Sequence, residues 1–294
     1  MERRKCGNTE QVRFAKEIVI DGKKCVLVRN GVLELLFNAD NALDIVFANF
    51  KGINLSFLSK NGLNDGSRDF AGNFEGGFLY TCGTDNVSSC VKGKPVHGSI
   101  HYRKAQNLNF YVSGEDVFVC GEAYERALFG KNLALKRRYR VSENSLSIND
   151  TVVNEGYTAA EYALLYHINY GYPFLDEGLV IDIPARKSEP LTAIAEEKRA
   201  EAFVVTAPVD GGEENVYYHT LEKGKIRLVN TRKKAAVTMR YDTEDFPVTL
   251  EWKSMVSGDY ALGIEPTFTR FDSFAPRALK PGKSKNYSIT IDFE

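Results

Sequence analysis

Hydrophobic and polar residues alternate with a period of two along most of the chain, which is typical of β-strands with one buried face. Residues 26–37 contain two such runs on either side of Asn30-Gly31, a dipeptide that favours a hairpin turn. Turns rich in Gly, Asn, Asp and Ser separate the runs. The further predicted strands are Leu43–Phe47, Val117–Gly121, Leu133–Val141, Leu146–Val153, Tyr162–Tyr170, Val180–Ile183, Ile226–Asn230, Ala236–Tyr241, Pro247–Trp252, Asp259–Glu265 and Tyr287–Phe293.

Helical patterns are scarce, and Thr192–Phe203, which is enriched in Ala and Glu, is the best candidate helix. Many strands, few helices and no change of composition along the chain predict one large antiparallel β domain over residues 1–294. The number of strands favours a two-sheet sandwich of unusual size over a small barrel. A β-propeller would show a blade-length repeat, and the sequence has none.

Composition narrows the classes of partner. The formal net charge is −1, and the densest basic spots, residues 136–138 and 232–234, are expected on solvated faces, so nucleic acid is not an expected partner. The N-terminus lacks the apolar core of a signal peptide, and no run reaches the roughly 20 apolar residues of a membrane helix. The five cysteines form no Cys-x-x-Cys pair, so neither a disulfide framework nor a thiolate zinc site is expected. These observations predict a cytoplasmic protein that does not bind a membrane.

A histidine lies in the middle of the apolar and aromatic run 163–177, and the chain has only four histidines. Because residues two apart in a strand share a face, His167 lies with Asn169, whereas Tyr166 and Tyr170 lie on the opposite face and are candidates for the core. A buried imidazole is either paired with a neighbouring group or performs a chemical task. His167 is therefore the first candidate functional residue.

Glu265 ends the predicted strand Asp259–Glu265. It shares a face with Ala261 and Gly263, whose small side chains leave room for a ligand above the sheet. Pro266 favours an extended Glu265 and is expected to end the strand ladder there. An exposed salt bridge is the alternative explanation for this carboxylate.

A third candidate element is the turn-rich segment 93–101, which contains His97 and His101. Their four-residue spacing would suit a metal pair on a helix, but the flanking Pro and Gly disfavour a helix, and no metal site is expected. Upstream, Asp85 and Asn86 follow a Gly-interrupted strand; ordinary turn chemistry is the alternative for this pair. No Ser-His-Asp order and no phosphate-binding Gly loop is apparent.

Several segments, taken in order, resemble the aldose 1-epimerase-like proteins of the galactose mutarotase-like superfamily, specifically their less characterised branch. The resemblance covers nearly the whole chain. The segments are Gly77–Asn86, His97-Gly98, Leu165–Glu177, Trp252-Lys253 and Leu262–Pro266.

This resemblance implies an all-β supersandwich with a carbohydrate-binding cleft on one sheet. It implies that His167 is the general acid and Glu265 the general base, and that His97 binds the sugar or assists at its ring oxygen. The sugar-binding arginine that precedes the His-Gly segment in mutarotases has no clear counterpart here. Asp85 and Asn86 occupy that neighbourhood instead.

We therefore expect an aldose 1-epimerase-like isomerase that interconverts the α and β anomers of a free monosaccharide, without a metal or an organic cofactor. The acid and the base are expected on opposite sides of the hemiacetal, and Glu265 would need partial desolvation to titrate near neutral pH. The expected catalytic residues are His167 and Glu265, and the expected substrate-binding residues are Asp85, Asn86, His97, Asn169, Trp252 and Lys253.

Two other classes of function fit the same residues. One is a non-catalytic carbohydrate-binding or sugar-sensing protein that keeps the cleft without the chemistry. The other is an isomerase or epimerase that acts on an uncommon or acidic sugar. The sequence also leaves open whether the protein forms a homodimer.

Overall fold

The computed structural model describes residues 13–64, 69–88 and 91–294, and β-strands dominate it. In chain order the strands are β1 (Phe14–Ile20), β2 (Lys23–Arg29), β3 (Leu33–Asn38), β4 (Asp44–Phe50), β5 (Ile53–Asn54), β6 (Leu79–Thr84), β7 (Gln106–Ser113), β8 (Asp116–Arg126), β9 (Asn132–Val141), β10 (Ser145–Asn154), β11 (Ala160–Gly171), β12 (Leu179–Asp182), β13 (Ala185–Pro190), β14 (Asn215–Leu221), β15 (Gly224–Asn230), β16 (Ala235–Tyr241), β17 (Val248–Ser254), β18 (Ala261–Thr267), β19 (Arg277–Leu279) and β20 (Ser284–Phe293).

Helical structure is short wherever the structure describes it. The segments are α1 (Phe70–Asn73), α2 (Ala193–Glu197) and two 3-10 turns, Ile100–Tyr102 and Arg199–Glu201. The helix predicted over Thr192–Phe203 is therefore present but shorter, because α2 stops at Glu197 and a 3-10 turn follows it. Among the described residues, no helix has the length and apolar character that crossing a membrane requires.

The strands pair into three antiparallel sheets. The first has the order β1-β2-β3-β4-β5, the second β12-β15-β16-β20-β10-β9-β8-β7, and the third β13-β14-β17-β18-β11-β19, with β6 paired to β11. The predicted hairpin around Asn30-Gly31 is the β2–β3 connection. This architecture confirms the predicted large antiparallel β fold.

The second and third sheets face each other, and β11 is buried on both of its faces. The hydroxyl groups of Tyr162 on β11 and Tyr287 on β20 lie 2.7 Å apart across this interface. Tyr166 packs on the same side against Phe246, as the alternation predicted. His167 follows Tyr166 and must therefore point away from the second sheet.

A buried ion network joins the sheets. Arg137 on β9 lies opposite Asp150 on β10, and its Nε and Nη2 donate to that carboxylate at 2.9 and 2.7 Å. The guanidinium also contacts Asp44 on β4 and donates to Thr81 on β6 at 2.9 Å, and the Tyr166 hydroxyl donates to Asp150 at 2.7 Å. The expectation of a solvated basic face over residues 136–138 is therefore wrong for Arg137, because it has two carboxylate partners in the interior.

We predict that Arg137→Met lowers the free energy of unfolding by about 3–5 kcal/mol, because it leaves the buried Asp150 carboxylate without its cation and removes one of the two cations that contact Asp44. Urea denaturation followed by circular dichroism would measure this change. Arg140→Met is the matched control on the same strand, since Arg140 pairs with Asp116 at the surface and should contribute about 1 kcal/mol or less. Equal effects of the two substitutions on the free energy of unfolding would contradict the stabilising role of the buried Arg137 network.

Candidate functional site

Strand register brings His167 and Glu265 together. Strands β11 and β18 are paired at Leu165–Thr267 and again at Ile168–Ile264, and this register places His167 directly opposite Glu265. The ladder is interrupted between those pairs, at Pro266, which has no N–H to donate. Strand β18 nevertheless continues to Thr267, so the prediction that Pro266 ends the ladder is wrong: its pairing with Thr249 on β17 is retained.

The two side chains are in contact and almost fully buried. His167 Nε2 lies 3.3 Å from Glu265 Oε1, an approach that is not aligned as a hydrogen bond, so Oε1 has no hydrogen-bond partner among the described residues. Gly263, the neighbour on the same face, makes room for this pair. A Cβ atom on Gly263 would lie 2.6 Å from Oε1 of Glu265 and 3.1 Å from Cε1 of His167. The space that the sequence assigned to a ligand is thus partly filled by the pair itself.

The pair lies at the wall of a cavity of about 280 Å³, close to the lower end of the usual range for small-molecule sites, about 300–1,000 Å³. Aromatic rings surround His167: the ring centroids of Phe74, His97 and Trp252 lie 5.4, 5.6 and 5.4 Å from its own. The cavity is lined by Phe70, Phe74, Ser88, Val96, His97, His167, Glu214, Val216, Leu250, Trp252, Glu265 and Phe271.

Burial sets the protonation of the catalytic candidates, since a medium of low dielectric constant disfavours their charged forms. Burial, helped by His97, lowers the pKa of His167 well below its ordinary value, and the neighbouring Asn169 opposes this shift only in part. Burial, helped by Glu214, raises the pKa of Glu265 well above its ordinary value. Both shifts therefore favour the pair with one titratable proton, on Glu265, and no net charge over the ion pair.

His97 and His101 have different environments. Nδ1 of His97 lies 2.7 Å from the carbonyl oxygen of Val87, and burial lowers the pKa of His97 to about 4. His101 lies outside the cavity, between Asp44 and Glu75. Burial alone would lower the pKa of His101, but its hydrogen bonds to these carboxylates raise it to about 9. The two histidines do not converge on a common point.

Asp85 and Asn86 lie outside the cavity and organise the loop that carries His97. Asp85 Oδ1 accepts a hydrogen bond from the backbone N–H of Ser99 at 3.1 Å, and Asn86 Nδ2 donates to the carbonyl of Pro95 at 3.0 Å. Gly98 completes the loop, because a Cβ atom there would lie 2.3 Å from a backbone oxygen of Gly83. These contacts are the ordinary turn chemistry that was the alternative expectation for Asp85 and Asn86.

Asn169 and Lys253, two further expected sugar ligands, are also buried outside the cavity. Asn169 Nδ2 donates to the carbonyl of Gly77 at 3.0 Å. Lys253 lies on the opposite face of β17 from Trp252, and its Nζ donates to the carbonyls of Glu201 and Val204, both at 2.6 Å. Of the expected substrate-binding residues, the structure brings His97 and Trp252 into the cavity wall.

The structure adds residues that sequence reasoning missed. Glu214, Val216, Leu250 and Phe74 line the cavity, yet they come from segments without a recognisable motif. Leu250 lies opposite Glu265 in the pairing of β17 with β18, and Val216 lies opposite Trp252 in the pairing of β14 with β17. Val216 and Leu250 could have been identified only from these registers, which a single sequence does not show.

A second histidine–glutamate contact lies outside the cavity. His219 Nδ1 is 2.9 Å from Ser188 Oγ, and His219 Nε2 is 2.8 Å from Glu251 Oε2. His219 and Glu251 are completely buried, the ring of Phe203 packs nearby, and none of these residues lines the cavity. His219 is therefore a histidine of the same sheet that is paired within the interior of the protein. His167 differs from His219 because it faces the cavity.

The fold is that of the galactose mutarotase-like proteins, as comparison with solved structures shows. A proposed aldose 1-epimerase from Klebsiella pneumoniae superimposes with a TM-score of 0.85 at 19% identity, over 95% of this chain and 83% of that one. A galactose mutarotase-like protein from Clostridium acetobutylicum superimposes with a TM-score of 0.71 at 16% identity, over 96% of this chain and 98% of that one. A proposed aldose 1-epimerase from Escherichia coli K12 superimposes with a TM-score of 0.64 at 12% identity, over 96% of this chain and 99% of that one.

The chain belongs to the family described as "Domain of unknown function (DUF4432)", whose model matches residues 21–292. No curated protein matches the chain in sequence. At the identities found, the structural likeness establishes the fold, and the chemistry has to be argued from the cavity itself.

We predict that His97 and His167 are neutral at pH 7 and that His101 is protonated. None of the three should titrate between pH 5.5 and 7.5, because the pKa of His97 is about 4, that of His101 is about 9, and that of His167 lies well below its ordinary value. Imidazole ¹⁵N–¹H correlation spectra would test this, with the signals assigned from single His→Asn variants. Titration of His167 near pH 6.5 would contradict the buried environment described here.

Proposed function

We propose that the protein is an aldose 1-epimerase, which interconverts the α and β anomers of a free aldose in the cavity. The observation that carries this proposal is the contact between His167 and Glu265, a potential acid and a potential base 3.3 Å apart at the wall of a cavity of monosaccharide size. Opening a cyclic hemiacetal requires one proton to leave the C1 hydroxyl and one to reach the ring oxygen. A single His–Glu pair holding one proton meets that requirement.

The adjacent placement of the two groups suits this reaction. The C1 hydroxyl oxygen and the ring oxygen are both bonded to C1, so two groups side by side on one edge of the sugar can reach both. An acid and a base on opposite sides of the ring, as expected from the sequence, are not needed. His97 and Trp252 would then border the sugar, with the aromatic ring packing against its C–H face.

The proposed step begins from the ion-pair form of the site. Transfer of the shared proton from Glu265 to His167 gives a carboxylate and an imidazolium without changing the net charge. Glu265 then takes the proton of the C1 hydroxyl, the C1–O bond becomes a carbonyl, the bond from C1 to the ring oxygen breaks, and His167 protonates that oxygen. Rotation about C1–C2 and the reverse proton transfers close the ring to the other anomer.

Ring opening returns the pair to its uncharged form. After the step, Glu265 is protonated and His167 is neutral, which is the form that burial favours in this site. The uncharged form also precedes the ion pair, so burial favours the protein state at the start and at the end of ring opening alike. The ion-pair form is then a state of higher free energy through which the reaction passes.

We predict that His167→Asn and Glu265→Gln each lower kcat by about 10²-fold or more, since each removes one partner of acid–base catalysis. Exchange NMR of anomer interconversion, with the buffer rate subtracted, would measure this over a panel of neutral and acidic aldoses. Glu251→Gln is the matched control, because Glu251 also contacts a buried histidine but lies outside the cavity. Wild-type rates no faster than buffer for every sugar would exclude the proposal, and sugar binding without turnover would identify a binding protein.

We also predict that kcat/KM is nearly level between pH 6 and 8. In water the one-proton form of a Glu–His pair spans only about pH 4.3 to 6.5, so its activity would fall about tenfold by pH 7.5. Burial penalises both the doubly protonated and the fully deprotonated pair, because each carries a net charge. The pH range over which the pair holds one proton is therefore wider in both directions than in water. A descending limb near pH 6.5 would contradict this protonation scheme.

A further inference from the structure

Asn169 is a buried polar residue beside His167 that the proposed reaction does not use. It lies two positions after His167 in β11, on the same face of the strand, and its side chain is completely buried. Its Nδ2 donates to the carbonyl oxygen of Gly77 at 3.0 Å and to that of His167 itself at 3.2 Å. Only the NH₂ end of an amide can face two carbonyl oxygens, so the orientation of this amide is fixed.

The fixed amide leaves two complementary atoms in the interior. Among the residues that the structure describes, neither Oδ1 of Asn169 nor Nδ1 of His167 has an aligned hydrogen-bond partner, although both atoms are buried. Oδ1 can only accept a hydrogen bond, whereas Nδ1 donates one when it carries a proton. Leaving both groups unpaired costs free energy, and the terminal torsion of a histidine is soft, so a small rotation of the ring that pairs the two atoms is favoured.

The electrostatics of His167 agree with this pairing. Burial, followed by the effect of His97, lowers the pKa of His167, whereas Asn169 acts in the opposite direction. A hydrogen-bond acceptor at the ring raises the pKa of an imidazole, because it stabilises the protonated form. Asn169 therefore presents its oxygen to His167.

The partner of Nδ1 decides what Nε2 can do, because a neutral imidazole carries a single N–H proton. With that proton on Nδ1, Nε2 has a lone pair, lies 3.3 Å from Oε1 of Glu265, and can receive the proton of that carboxyl group. With the proton on Nε2, this nitrogen has no lone pair for the proposed transfer. The lone pair of Nδ1 would then also face the acceptor atom of Asn169.

We propose that Asn169 is a positioning residue that holds the proton of the neutral His167 ring on Nδ1 and so keeps Nε2 free for the proton of Glu265. The proton of Glu265 moves to Nε2 and then to the ring oxygen of the sugar, while the proton on Nδ1 stays in place. The use of Nε2 rests on the proposed function, but the tautomer of His167 does not. A neutral amide fixes this tautomer without adding a charge to the buried pair, as a carboxylate in its place would do.

The tautomer can be measured without any substrate. Long-range ¹⁵N–¹H correlation spectra connect both ring nitrogens to the carbon-bound ring protons, and they distinguish a protonated nitrogen from an unprotonated one. We would record these spectra for the wild type and Asn169→Ala, and identify the signals of His167 by their loss in His167→Asn. The same proteins would be assayed for kcat and KM with the aldose that the wild type interconverts fastest.

Asn154→Ala is the matched control. Asn154 is also completely buried, and its Nδ2 also donates to two backbone carbonyls, those of Thr158 and Leu279, both at 2.8 Å. It lies outside the cavity. The two alanine variants therefore lose comparable hydrogen bonds, but only one of them changes the surroundings of His167.

We expect a protonated Nδ1 and an unprotonated Nε2 in the wild type. Asn169→Ala should give intermediate shifts for both nitrogens, because the ring then exchanges between tautomers, and should lower kcat about tenfold, the effect of one ordinary hydrogen bond. Its KM should change less than about threefold, since Asn169 does not contact the sugar. Asn154→Ala should keep the tautomer and the kcat of the wild type, even if both variants are less stable to urea.

The outcomes separate this inference from the proposed reaction. A protonated Nε2 in the wild type, which needs no variant to detect, or an unchanged tautomer in Asn169→Ala would overturn the role of Asn169 whatever the turnover. Mixed tautomers with the kcat of the wild type in Asn169→Ala would overturn it as well. If the spectra are as expected but the wild type interconverts no aldose, Asn169 still fixes the tautomer and the proposed reaction is wrong.

Discussion

The burial of one guanidinium group is the constraint on which the rest of the structure depends. Arg137 bonds Asp150 within the second sheet and reaches Asp44 of the first sheet and Thr81 of β6, while Tyr166 of β11 shares Asp150 with it. Such a network costs desolvation energy, so its main contribution is to define one arrangement of the sheets. Since Tyr166 precedes His167 in β11, the strand that carries the candidate acid–base group is held from its other face.

Much of the fold follows from residue periodicity, and its exceptions have a physical cause. Strands β9 and β10 alternate because one face is buried and the other exposed, so their pattern could be read directly. Strands β1, β7 and β13 were not predicted, because they are edge strands without a fully buried residue. Arg137 is a different kind of exception. It is a buried cation with buried partners, but the sequence alone does not distinguish it from an arginine at the surface.

The same distinction applies to the cavity. His167 and Glu265 could be predicted because strand alternation and the family resemblance single out those positions, and cross-strand register then brings them into contact. Glu214 and Val216 could not, since they reach the cavity only through the pairing of β14 with β17. Asp85 was chosen for its position before the His-Gly segment, but the order of residues along a loop does not show which way a side chain points.

The uncharged state of the His167–Glu265 pair has a consequence for how the cavity relates to water. In the proposed cycle, the proton that leaves one sugar oxygen is replaced by the proton that reaches the other, so nothing has to be exchanged with the solvent. A closed chamber is therefore sufficient, and solvent exclusion brings a benefit. The free aldehyde formed in the cycle would be kept apart from the amines and thiols with which aldehydes react, so the fold would contain a reactive species as well as forming it.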